Sequence, residues 1–90
     1  MSPERIFPEK IRAKAVFQPE CKWRLIEEYG WDSFAEQEDG TLLFECGFTD
    51  ADYLREWILN FGDKVELLEP VEVREELLKV AERLREKYLR

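Results

Sequence analysis

Apolar and polar residues alternate from Ile11 to Phe17, which puts Ile11, Ala13, Ala15 and Phe17 on one face and predicts a strand. From Pro19 the spacing changes. Leu25, Ile26 and Tyr29 form a helical stripe widened by Cys21 and Trp23, with Pro19 suited to the first turn and Gly30 to the stop. Ser33 to Glu38 reads as a short polar strand and Thr41 to Phe48 as an aromatic-rich return strand, with Asp39-Gly40 as the hairpin turn between them. Leu42, Phe44, Cys46 and Phe48 are expected to face the core. Thr49 is then expected to cap a second helix, with Asp52 approximating the other half of a capping box. Tyr53, Leu54, Trp57, Ile58 and Phe61 share one face of that helix, and Gly62 ends it. Lys64 to Leu68 gives a fourth strand closed by Pro70. Beyond it, Val73, Leu77, Val80, Ala81, Leu84 and Tyr88 recur at helical spacing. Glu72, Glu75 and Glu76 come early and Arg85, Lys87 and Arg90 late, an order that suits the helix dipole.

The resulting order, β-α-β-β-α-β followed by α, predicts an α+β, ferredoxin-like fold with an additional C-terminal helix and an antiparallel four-stranded sheet ordered 4-1-3-2. In that order the outward Lys14 sits near Glu45 and Glu66, a cross-strand charge match. Val16, Leu43 and Leu68 form an apolar strip on the sheet face away from the two packed helices, where the terminal helix or a partner is expected to dock. Tyr53, Trp57 and Phe61 are more aromatic surface than a small core requires, so Trp57 is also a candidate interface residue. Residues 1–10, with Pro3, Pro8 and no period, read as an extended linker or arm, and residues 11–90 as the folded regulatory domain.

Ninety residues suffice for one small core. A formal net charge of −7 opposes unaided binding to nucleic acid, whose phosphates need clustered Lys and Arg. No run approaches the roughly 20 apolar residues of a membrane span, and Glu4, Arg5 and Glu9 occupy the place of a signal peptide's apolar stretch. A soluble, cytoplasmic protein without membrane contact is therefore expected. Cys21 and Cys46 are too few for a disulfide scaffold and read as reduced, packed thiols.

The chain has no His, and so lacks the commonest general base and transition-metal ligand. Glu36, Glu38, Asp39 and Glu45 could in principle act as paired carboxylates, but a charged edge around a hairpin accounts for them. Asp50 and Asp52 lack the further ligands of a calcium loop and fit helix capping. Phe44 and Phe48 lie as stacking aromatics do on an RNA-binding sheet, yet no basic residues are interleaved with them. Gln18-Pro19-Glu20-Cys21 has neither the glycines nor the Arg of a phosphate cradle after strand one. No catalytic residue, metal site or cofactor is expected, and the protein is read as not an enzyme.

Tyr53-Leu-Arg-Glu-Trp57-Ile-Leu-Asn-Phe61-Gly62, Val65-Glu-Leu-Leu-Glu69-Pro70, and Val73-Arg74 with Leu77 running to Tyr88 together resemble the C-terminal extension, or WCX domain, of WYL-domain bacterial transcriptional regulators. The likeness extends from about Ala13 to Tyr88, closer in the second half than in the first. It implies a module that contributes to dimerisation and effector sensing in transcription regulation. Its implied partners are a second copy in a homodimer and the WYL and helix-turn-helix domains of the same regulator. The chain has neither a helix-turn-helix nor the Trp-Tyr-Leu motif, so no direct DNA binding is expected of it. Arg12, Lys14 and Arg74 are the candidate contacts for an anionic effector, and Val16, Leu43, Leu68 and Trp57 the candidate interface. The alternative is a free-standing ferredoxin-like domain that binds a small metabolite.

Overall fold

A computed structural model of the chain describes residues 11–89. The expected linker or arm at residues 1–10 lies outside them. Four strands and three α-helices follow in chain order: β1 (Ile11–Phe17), α1 (Lys22–Tyr29), β2 (Phe34–Glu36), β3 (Leu42–Phe48), α2 (Ala51–Leu59), β4 (Val65–Glu69) and α3 (Val71–Tyr88). Single 3-10 turns at Pro19–Cys21 and Gly62–Lys64 lead into α1 and β4. The sheet order is β2-β3-β1-β4 with every pairing antiparallel, as the ferredoxin-like reading requires.

Strand alternation sorts the two sheet faces. Ala13, Ala15 and Phe17 of β1, Leu42, Phe44 and Phe48 of β3 and Leu67 of β4 are buried on the side where α1 and α2 bring Leu25, Leu54, Trp57 and Ile58. Trp57 is the centre of this core. Its ring lies within 5.1 to 5.7 Å of the rings of Phe17, Tyr29, Phe44, Phe48 and Phe61. These edge and tilted contacts follow the charge distribution of aromatic rings and supply large buried area from few residues. No buried polar side-chain atom among the described residues lacks a hydrogen-bond partner.

Several local expectations are corrected. The first turn of the first helical segment is 3-10, closed by the Cys21 N–H donating to the Gln18 carbonyl at 3.0 Å, with α-helix starting only at Lys22. Strand β2 keeps only Phe34–Glu36, since Gln37 N–H already donates to Thr41 C=O to close the hairpin. Asp50, not Thr49, caps α2: its extended backbone lets its carboxylate accept the Asp52 N–H at 2.9 Å. Cys46 is only half-buried, while Tyr53 and Trp23 are exposed, because the stripes they widen run past the edge of the core.

Helix α3 turns back after Glu69-Pro70 and packs against both α2 and β4. Val73 is buried there and Leu77 is packed against the core. The terminal helix therefore docks beside the first two on the edge at β4, and not on the Val16, Leu43, Leu68 strip. That strip faces away from all three helices.

Candidate functional site

The second sheet face, on which no helix of the described residues packs, is built by the residues that alternate with the core. On β1 these are Arg12, Lys14 and Val16, and in register across β3 lie Gly47, Glu45 and Leu43. Ala35 of β2 pairs with Leu43, and Glu66 of β4 pairs with Val16. Val16, Leu43 and Leu68 are all half-buried, so the expected apolar strip is present beside charged residues. A shallow groove of ≈ 400 Å³ on this side is lined by Arg12, Ser33, Phe34, Ala35, Leu43 and Glu45, with Asp32 at its rim.

The charge on this face is mixed. Lys14 Nζ lies 3.9 Å from Glu45 as expected, but its register partner on β4 is Glu69, because the ladder shifts between Lys14 and Ala15. Glu66 instead faces Arg74 of α3 at 3.7 Å. Arg12 and Lys14 thus stand on one sheet face, two residues apart on the same strand. Arg74 belongs to the first turn of α3 and is engaged by Glu66. Exposed ion pairs of this kind contribute only about 0–1 kcal/mol each.

Trp57 lies in the core. It is 5% exposed, and its indole N–H donates to Glu28 Oε1 at 2.8 Å, which ties α2 to α1. Tyr29 beside Trp57 has its hydroxyl pushed up to about 12, first by burial and then by Tyr53.

The carboxylates considered for chemistry disperse. Glu36 pairs with Lys22 at 2.6 Å, Glu45 with Lys14, and Asp39 accepts from the Thr41 N–H at 3.0 Å and hydroxyl at 2.6 Å. Those two bonds hold the exposed Asp39 carboxyl below the ordinary Asp range. Among the described residues no three His, Cys, Asp or Glu side chains group as metal ligands. No disulfide joins Cys21 and Cys46. Burial pushes the Cys21 thiol up, with Glu20 adding to it, as expected of a packed thiol.

Two features were not singled out from the sequence. A second groove, of ≈ 270 Å³, runs between α3, the end of α2 and β4, and is lined by Ile58, Leu67, Arg74, Leu77, Leu78 and Ala81 among others. Leu78, one position off the main stripe of α3, was the signal for it. Trp23 and Trp31 form an exposed edge-to-face pair with ring centres 5.6 Å apart, bridging α1 and the turn beyond Gly30.

No helix among the described residues is long and apolar enough to cross a membrane. In comparison with known protein families, the family model described as the WCX domain aligns with residues 9–85. No curated protein and no solved structure matches the chain.

Proposed function

The chain belongs to the WCX domain family, which is associated with WYL-type regulators, and from that premise we propose that it is a non-catalytic regulatory module contributing dimer contacts and effector sensing to a transcriptional regulator. The observation that carries the sensing role is the uncovered sheet face, where Val16, Leu43 and Leu68 offer apolar contact beside the cations Arg12 and Lys14. A phosphate-bearing effector with a flat apolar portion fits that pairing of chemistries. Its charge would engage Arg12 and draw Lys14 from Glu45, and its ring would cover the strip.

Such a module acts without chemistry of its own. It needs only to bind an effector, or a neighbouring domain, unequally in two states of the regulator. The strongly acidic remainder of the chain leaves contact with DNA to the helix-turn-helix domain.

The test is an NMR titration of the chain with a nucleoside triphosphate as the probe. Amide shifts concentrated on β1 and β3 around Arg12, Lys14 and Leu43, lost in the Arg12→Ala, Lys14→Ala double variant, are expected. Shifts that survive the double variant, or that map to the helix side, refute the placement of the sensing surface.

A further inference from the structure

We propose that the groove between α1 and α2 binds a free α-amino acid with an aromatic or other large apolar side chain, a second ligand site on the opposite side of the sheet from the nucleotide surface proposed above. The groove encloses ≈ 500 Å³. Helices α1 and α2 each follow one of the antiparallel strands β1 and β3, so they cross the sheet in opposite directions. Arg24 and Asn60 therefore stand at one end of the groove, Glu28 and Glu56 in the middle, and Tyr29 and Tyr53 at the other end. Glu28 is spent internally: one oxygen accepts the Trp57 indole N–H at 2.8 Å and the other accepts Arg24 Nε at 3.3 Å. Arg24 is thereby fixed to the core, and its guanidinium lies 4.0 Å from the centre of the Phe61 ring.

Two charged groups in the groove keep open valences. Arg24 commits only Nε, so among the described residues Nη1 and Nη2 have no hydrogen-bond partner. Arg55 engages Glu56 only at Oε2, at 3.4 Å, which leaves Glu56 Oε1 without one among the same residues. A guanidinium fork on α1 and a carboxylate oxygen on α2 match the two charges of a zwitterion. The ligand's carboxylate takes Nη1 and Nη2 as a bidentate pair, and its ammonium donates to Glu56. Arg24, already held by its ring stack and by Glu28, gives up little freedom on binding. Simpler ligands meet opposition. An anion alone would face Glu28 and Glu56, and an amine alone would face Arg24, with Lys64 in the adjoining pocket. Two turns of α2, about 10 Å, separate Asn60 from Tyr53. That length lets a side chain of aromatic size reach from the head group to the rings of Tyr29 and Tyr53.

Amide NMR titrations of the full chain with L-phenylalanine, 3-phenylpropionate and phenethylamine decide it, because the three share a side chain and differ in the head group. L-Phenylalanine is expected to shift amides from Trp23 to Tyr29 and from Tyr53 to Asn60. Each analogue lacks one charged contact and is expected to bind roughly five- to tenfold more weakly. Glu56→Gln, at an exposed position, weakens L-phenylalanine by a similar factor and leaves 3-phenylpropionate unchanged. Arg24→Lys keeps the charge but not the fork; it weakens L-phenylalanine and 3-phenylpropionate and spares phenethylamine. Should Arg24→Lys lower the thermal melt, Glu56→Gln and the analogues carry the decision. The site is overturned by absence of shifts with L-phenylalanine up to its solubility limit, by equal affinity for all three compounds, or by shifts confined to β1 and β3 around Arg12 and Lys14. The nucleotide titration reads the other face of the sheet and stands or falls separately.

Discussion

Replacing Trp57 by Phe tests whether the aromatic core is organised around one indole. Phe retains a six-membered ring in contact with Phe17, Phe44 and Phe61 but gives up the pyrrole portion and its N–H. The lost burial and the unfilled space cost about 1.5–2 kcal/mol. The hydrogen bond to the Glu28 carboxylate at 2.8 Å adds about 1–1.5 kcal/mol, towards the low end for a charged acceptor because Glu28 stands in water. A total near 3 kcal/mol corresponds to a fall in Tm of about 12 to 24 °C for a domain of this size. Urea denaturation followed by far-UV circular dichroism gives the free energy directly. Fluorescence provides an independent reading, because Trp23 and Trp31 are exposed and Trp57 is the buried member of the three. The variant's emission in the folded state therefore moves to the red. A cycle with Glu28→Ala isolates the hydrogen bond, with an expected coupling of about 1 kcal/mol. A total loss below about 1 kcal/mol with unshifted emission would refute the central place given to Trp57.

Two further predictions concern local chemistry. Tyr29 is protonated in both states below pH 10; between 10 and about 12 the unfolded chain ionises there while the folded one does not, so its stabilising contribution is lost as pH rises through that window. An absorbance titration should show a late phenolic step that vanishes in Tyr29→Phe; a titration curve that Tyr29→Phe leaves without any loss at its alkaline end would contradict the burial. Gly30→Ala forces a side chain into φ +99, and a loss of about 1–3 kcal/mol in urea denaturation is expected; an unchanged midpoint would mean that the turn after α1 relaxes freely.

The strands and their order were legible because period-two alternation is a local signal and, among the described residues, helices cover this sheet on one side only. Ala13, Ala15 and Phe17 could be assigned to the core without knowing what they meet. The helix ends were harder. Thr49 and Asp50 are both good capping residues, and the choice of Asp50 depends on backbone angles that residue types do not reveal. Trp57 shows a different difficulty: excess aromaticity on a helix implies either surface or an unusually aromatic core, and only the convergence of β1, β3, α1 and α2 on one point selects the core. For α3 the stripe was readable but not its destination, because helical spacing specifies which face is apolar and not which neighbour covers it. Arg74 was chosen for its charge, and its engagement by Glu66 arises from the direction in which α3 leaves β4.

The sheet's margins govern how this domain can meet other chains. One outer strand, β2, offers only three residues and finishes at Glu36, which Lys22 engages; the other, β4, is followed at once by a helix that packs on it. Neither border presents the long, flat run of unpaired amides and carbonyls that recruits strands regardless of sequence. Recognition is thereby left to side chains, whose identity can be changed residue by residue.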